Sequence, residues 1–289
     1  MLVLQLLASG LQSGALYALT AAGFALIFGA TRVFHVAHGA CFLLAGYAFL
    51  VPVQFGWPWP LACLVSLGVA VLFGVSMERL LYRVIQRDEG SFFTVFVASF
   101  GVGIAVQSLI SFLFGSGFQS MSVSLTRAVQ ILPGFYVAPV LAIVLLVVVV
   151  VFVSVQLLLD RTNIGLGLRA LSENPEILRA YGLSSSRLSS LAFAVGSGLV
   201  VPGAILTTMT TGLQPVDGAH VMLISIAATI VGGIGSIKGA ALAGLLLGVI
   251  ESIAVAVVET QWSQTASFVV LFLFILFLPN GLVGRANAR

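Results

Sequence analysis

The sequence predicts an all-α, polytopic transmembrane helical bundle of about eight to ten spans, some of them broken or re-entrant. Three observations predict it. Only 7% of the 289 residues are charged, 60% are hydrophobic, and the mean hydropathy is +1.18; a soluble domain carries about 25% charged residues. Residues 1–31, 91–126, 128–159, 188–216 and 260–284 contain no charge at all. The apolar runs are also long and continuous, as helices require, where a membrane barrel alternates over roughly ten residues.

Divided at charges, prolines and polar clusters, the chain yields nine spans, near 2–29, 34–54, 59–82, 91–115, 138–159, 188–211, 219–237, 240–258 and 263–282. The first would measure roughly 42 Å as a helix, against a bilayer core of about 30 Å. It is therefore expected to tilt or to break at Gly10, Gly14, Gly23 or Gly29. It lacks a preceding basic region and is too long for a signal core, so it is expected to stay as a span. A re-entrant piece around 30–40 or 229–240 would change the count of nine.

His35 and His38 stand three apart near the start of the second span, on one helical face. They read as structural hydrogen bonding or a span break, as gate or path residues, or as half of a metal site that would need further ligands. Cys41 and Cys63 lie in apolar segments and read as packing residues. Trp57, Pro58, Trp59 and Pro60 mark a membrane interface, as does Trp262. Residues 116–137 form a Ser-rich outer stretch with Pro133 and Gly134. Asp217 and His220 form an outer pair that would either contact a delivery protein or sit in a loop.

Gly10/Gly14, Gly235/Gly239 and Gly244/Gly248 are each four apart, the spacing that lets helices approach closely in lipid. The Gly-rich run Gly232–Gly239, with Gly233 and Gly235, disfavours regular helix and reads as a tight packing element or an unwound path segment. Glu251 is an intramembrane acid, which by default marks function, with hydrogen bonding between helices as the alternative. No phosphate-binding loop exists: Lys238 is the only lysine and does not follow a glycine. The basic residues are dispersed beside spans, which argues against nucleic acid.

Those basic residues orient the chain. With the loop at 83–90 in the cytoplasm, eleven of the twelve fall on the cytoplasmic side and only Arg127 outside. The N-terminus is then outside and the C-terminus inside. The cytoplasmic loop 160–187 is the most charged part of the chain. Within it, Asn174 suits an N-cap, Pro175 the first helical position, Glu176 the first turn, Arg179 the last turn and Gly182 the stop. A two-turn helix is too short to stand alone in water. Ile177, Leu178 and Tyr181, read as exposed, together with Glu173, Glu176 and Arg179, would dock it on a cytoplasmic partner, with an ordinary linker as the alternative.

The loop and the Leu191–Gly203 segment after it resemble the permeases of branched-chain amino acid ABC transporters. So do Ser9-Gly10-Leu11-Gln12-Ser13-Gly14-Ala15-Leu16-Tyr17-Ala18-Leu19, Ala37-His38-Gly39, Gly232-Gly233-Ile234-Gly235-Ser236 with Gly239, and Leu245–Glu251. The resemblance spans nearly the whole chain. It departs at His35, where Asn is usual, and at Lys238, where Pro is common. It implies one transmembrane permease domain over 1–289, with 160–187 as its docking loop, in a bacterial-type inner membrane. It also implies two cytoplasmic ATP-binding subunits, a second related permease and an extracytoplasmic substrate-binding protein. ATP and Mg would be bound by the partners, with no cofactor and no catalysis in this chain. Branched-chain amino acids lead as substrate, with urea, amides, aromatic acids and other amino acids as alternatives. The other class of function is an ion-coupled secondary transporter or channel, with Glu251, His35 and His38 as a proton relay.

Overall fold

A computed structural model describes residues 2–88, 90–121, 124–257, 263–278 and 281–283. Helices α1 (Leu2–Thr31), α2 (His38–Gln54) and α3 (Trp59–Ser76) come first. A π-helical segment, Met77–Tyr82, carries α3 without a break into α4 (Arg83–Arg87), and α5 (Phe92–Phe114) follows. An antiparallel hairpin, β1 (Val129–Leu132) and β2 (Phe135–Val137), precedes α6 (Val140–Arg161). Then come α7 (Asn163–Glu173), α8 (Pro175–Ala180), α9 (Ser185–Thr210), α10 (Asp217–Gly232), α11 (Ile237–Val257) and α12 (Ser263–Phe277). Each of the nine predicted spans holds a helix. Six helices among the described residues are long and apolar enough to cross a membrane. Trp262, Arg285 and Arg289 lie outside the described residues.

The first helix does not break at its glycines. α1 runs unbroken for 30 residues and occupies the centre of the bundle, packed chiefly on α11 and α9. Its glycines are used for approach, not for bending. A Cβ on Gly14 would stand 2.6 Å from the Leu245 carbonyl oxygen, one on Gly10 2.8 Å from Val249 Cα, and one on Gly248 would overlap the Gly14 backbone. The two predicted small-residue pairs, Gly10/Gly14 and Gly244/Gly248, thus form two sides of one crossing, which brings backbones into van der Waals contact where lipid gives no hydrophobic drive.

The breaks fall elsewhere. α2 has 17 residues and α10 has 16, roughly 25 Å each and short of the bilayer core of about 30 Å. Each follows a non-helical stretch, 32–37 and 211–216. Their first turns meet: a Cβ on Gly39 would overlap the Gly218 carbonyl, and His38 Nε2 donates to the carbonyl of Thr20, midway along α1, at 2.9 Å. The pairs α1–α2 and α9–α10 therefore run in opposite senses, each with a second helix that starts inside the bundle. The chain thus breaks within 30–40, while residues 233–236 are a tight turn between α10 and α11, with Gly233 and Gly235 at φ of 102° and 85°. Left-handed backbone of this kind is what the glycines permit.

The basic residues collect at one end of the bundle. Arg32, Arg83, Arg87 and Arg179 line a single cavity there, while Arg127 is exposed beside the hairpin at the far end. At that far end Gln5 on α1 exchanges two hydrogen bonds with Tyr136 of β2, at 2.8 and 3.1 Å.

Candidate functional site: two cavities and a docking groove

The far end holds a cavity of about 240 Å³ between α1, α2, α9 and α10. Leu16, Phe42, Phe118 and Val221 give it apolar walls; Tyr17, Thr20, Thr207, Thr211, Gln214, Asp217 and His220 give it polar ones. Asp217 starts α10 and accepts the Gln214 N–H at 2.6 Å. One turn on, His220 Nε2 lies 3.3 Å from Tyr17 Oη and 3.9 Å from Glu251 Oε1 on α11. Glu251 Oε2 is buried and has no hydrogen-bond partner among the described residues. Phe118 sits over Gly212, and the adjoining strap is fixed by two backbone bonds, Gln119 N–H to Leu213 O at 2.9 Å and Leu213 N–H to Gln119 O at 2.7 Å.

The basic end holds a larger cavity, about 710 Å³, lined by the four arginines with Glu78 and Ser184–Ser186. Glu78 is buried. It pairs with Arg83 at 2.7 Å and accepts the Ser190 hydroxyl at 2.6 Å, while Arg83 also donates to the Ser186 carbonyl at 3.0 Å. The π segment makes this possible. A π turn carries an extra residue, and here Glu78 and Tyr82 are both buried within the bundle.

A buried polar cluster lies within the bundle. His38, held on Thr20, lies beside His35, with ring centroids 5.8 Å apart. His35 Nδ1 is 2.7 Å from Tyr82 Oη, Tyr82 is 2.6 Å from Ser99 Oγ, and Ser99 accepts the Ala37 N–H at 2.9 Å. Both histidines are fully buried, and neither lines the two cavities described above. Among the described residues no metal-binding cluster occurs. Glu251 approaches His220, not His35 or His38, so the three residues proposed as a relay are not assembled as one.

The loop 160–187 contains one helix more than expected. α7 precedes the predicted one and is amphipathic, with Leu166 and Ile164 exposed and Leu168 and Leu171 buried. The predicted helix is present as α8: the Asn174 side chain accepts the Glu176 N–H at 2.9 Å, and Gly182 stops the helix at φ 77°. Tyr181 is 82% exposed, as expected. Leu178 is not; it is 3% exposed, turned inward because α7 and Leu188 give it an apolar seat. The Ile177 side chain lies outside the described set. Leu166, Gly167, Tyr181 and Leu183 border an apolar groove of about 570 Å³ at whose edge Glu173 stands. Glu176 and Arg179 are exposed, Arg179 donating to Ser185 Oγ at 3.0 Å.

Gly232 packs directly on Gly239, and Gly235 faces Gly29 of α1 and, across a small gap, Leu168 and Arg169 of α7. The Gly-rich turn thus packs on α1 and faces α7 across that gap, while α7 itself packs on α1 and α9. Sequence reading singled out Asp217 and His220 but not their link to Tyr17 and Glu251, which lie 203 positions before His220 and 31 after it.

A multi-pass helical bundle with a cavity at each end and a helical groove at its basic face defines a membrane permease. The chain belongs to the family described as branched-chain amino acid transport system / permease component, whose model matches residues 6–278. It is similar to the high-affinity branched-chain amino acid transport system permease protein BraD of Pseudomonas aeruginosa, 28% identical and covering 99% of this chain and 97% of that protein. It is 25% identical to the corresponding permease LivH of Escherichia coli K12, with the same coverage, and 24% identical to a probable LivH of Methanocaldococcus jannaschii over 93% of this chain and 89% of that one. Among solved structures it is similar to PsaBC from Streptococcus pneumoniae in complex with Fab, with a TM-score of 0.52 and 10% identity over 94% and 91% of the two chains; this likeness concerns the fold alone.

Proposed function

We propose that this chain is the permease subunit of an ATP-binding-cassette importer that moves amino acids, branched-chain ones first, across the inner membrane by alternating access. The observation that carries the reading is the near full-length similarity to BraD and LivH. The whole chain then acts as one transmembrane domain beside a second, related permease. Its basic end is cytoplasmic, by the positive-inside rule, which puts the N-terminus outside and the C-terminus inside.

The α7–α8 groove receives one of two cytoplasmic ATP-binding subunits. Tyr181 and Leu166 offer apolar contact, Leu178 and Leu188 build the seat, and Glu173, Glu176 and Arg179 supply charges at its rim; Ile177, also expected to dock, lies outside the described side chains. ATP and Mg belong to those subunits; this chain holds no cofactor and catalyses nothing. An extracytoplasmic binding protein delivers substrate to the far-end cavity, and the basic cavity releases it. Motion of α7 reaches α10 and α11 through Gly232, Gly233 and Gly235, and the buried His35–His38–Tyr82 chain keeps the two cavities apart.

The test is ATP-dependent uptake of labelled leucine by the tagged, co-purified complex in proteoliposomes, with and without a protonophore. Loss of ATPase co-purification in Tyr181→Ala combined with Leu166→Asp is expected. Retention of the ATPase by that variant removes the docking assignment. Uptake that needs an ion gradient and no ATPase replaces the importer with a secondary transporter.

A further inference from the structure

The far-end cavity carries a charge pattern that the family membership does not explain. Its described lining contains a carboxylate, Asp217, and a histidine, His220, with a second carboxylate, Glu251, directly behind it. No lysine or arginine lines it. Even with His220 protonated, two carboxylates face one cation. Intramembrane acids are costly and persist where they meet a partner or a substrate. Asp217 uses one oxygen on its own loop, at the Gln214 N–H, and a carboxylate has acceptor sites beyond that one bond. Leu16, Phe42 and Val221 form an apolar wall in the same space. Small-molecule sites have this build: apolar walls with a few convergent polar groups, and about 300–1,000 Å³ for drug-sized ligands. At about 240 Å³ this one suits a smaller solute.

We infer that this cavity is a substrate subsite selective for a cationic ammonium group on a short branched alkyl chain. Asp217 accepts the ammonium, and Leu16, Phe42 and Val221 take the alkyl group. The inference rests on the amino-acid reading above and adds what discriminates at this point of the path. The subsite reads the amino end and the hydrocarbon, and the substrate's carboxylate contributes little. An amine lacking a carboxylate occupies it, and a carboxylate lacking an amine does not.

The test uses the purified full-length chain in detergent, without ATPase or binding protein, so it is independent of whether the complex imports leucine. Thr211→Cys places a thiol at the cavity; Cys41 is buried and Cys63 half-buried on α3. Its labelling by a charged, water-soluble maleimide is timed with isopentylamine, leucine or 4-methylpentanoate at millimolar concentration. The expected result is at least a fivefold slowing by isopentylamine and by leucine, and none by 4-methylpentanoate. Adding Asp217→Asn removes the protection by isopentylamine, while Asp217→Glu keeps part of it, which separates loss of charge from loss of fold. Equal protection by the acid and the amine, no protection by any of the three, or protection that survives Asp217→Asn overturns the proposal. Absent ATP-dependent leucine uptake by the wild-type complex overturns the importer reading and leaves this result standing.

Discussion

α1 and α6 are both long apolar helices, and they occupy opposite places. α6 is the most apolar of the six long helices, yet only 22% of its central window is buried; α1 is the least apolar, and 83% of its window is buried. In water the order would be reversed. In lipid, hydrophobicity does not draw a helix inward, since the solvent is as apolar as leucine. What draws α1 inward is its glycine and alanine surface and its capacity for polar contact through Tyr17 and Thr20. α6 offers Leu146, Val149, Val150 and Val153 to lipid and has little with which to hold a neighbour.

Four substitutions would break or sharpen this contrast. Gly248→Leu drives a side chain into the α1 backbone at Gly14. Overpacking typically costs 1–3 kcal/mol, and about 3 or more is expected here because backbone cannot yield. The variant should fail to elute as a monodisperse species on size exclusion, and normal elution would break the account of the crossing. Glu78→Gln is next. Breaking a fully buried pair costs roughly 3–5 kcal/mol, but Arg83 is 29% exposed, so about 2 kcal/mol is expected, read as a lowered midpoint of thermal unfolding in detergent. Tyr82→Phe removes the hydroxyl shared by His35 and Ser99. It should cost about 1–2 kcal/mol on the same assay, and an unchanged midpoint would deny that the buried chain is structural. Leu146→Ala on the lipid face of α6 should stay within about 0.5 kcal/mol of wild type. A loss as large as that of Glu78→Gln would place a partner surface where we see a lipid-facing one.

Sequence alone locates a helix in each of the nine apolar runs, because a long run with little charge has few other homes; six of the described helices are long enough to span. It also places the start and stop of α8, since Asn174, Pro175 and Gly182 act within a single turn. What it misses are meetings between distant residues. Glu251 and Tyr17 both reach His220 only because α1, α10 and α11 fold together. The break before α2 carries neither glycine nor proline, and Gly212 and Pro215 before α10 suit an ordinary loop equally well, so neither is legible until the two first turns are seen in contact. The Gly-rich run is legible as a helix breaker, but not as a four-residue turn at 233–236 that ends one helix and starts the next. Leu178 was misplaced because α7, the element that covers it, has a helical period too short to separate from the end of α6.

The α1–α11 crossing also bears on how the protein is made. Gly14 and Gly248 are separated by 234 positions in the chain. At a synthesis rate of about 5–20 residues per second, roughly 10–50 s pass between the appearance of one and of the other. During that time the least apolar long helix waits in the bilayer without its principal neighbour. A ribosome that stalls before α11 leaves α1 with its glycine face open to lipid.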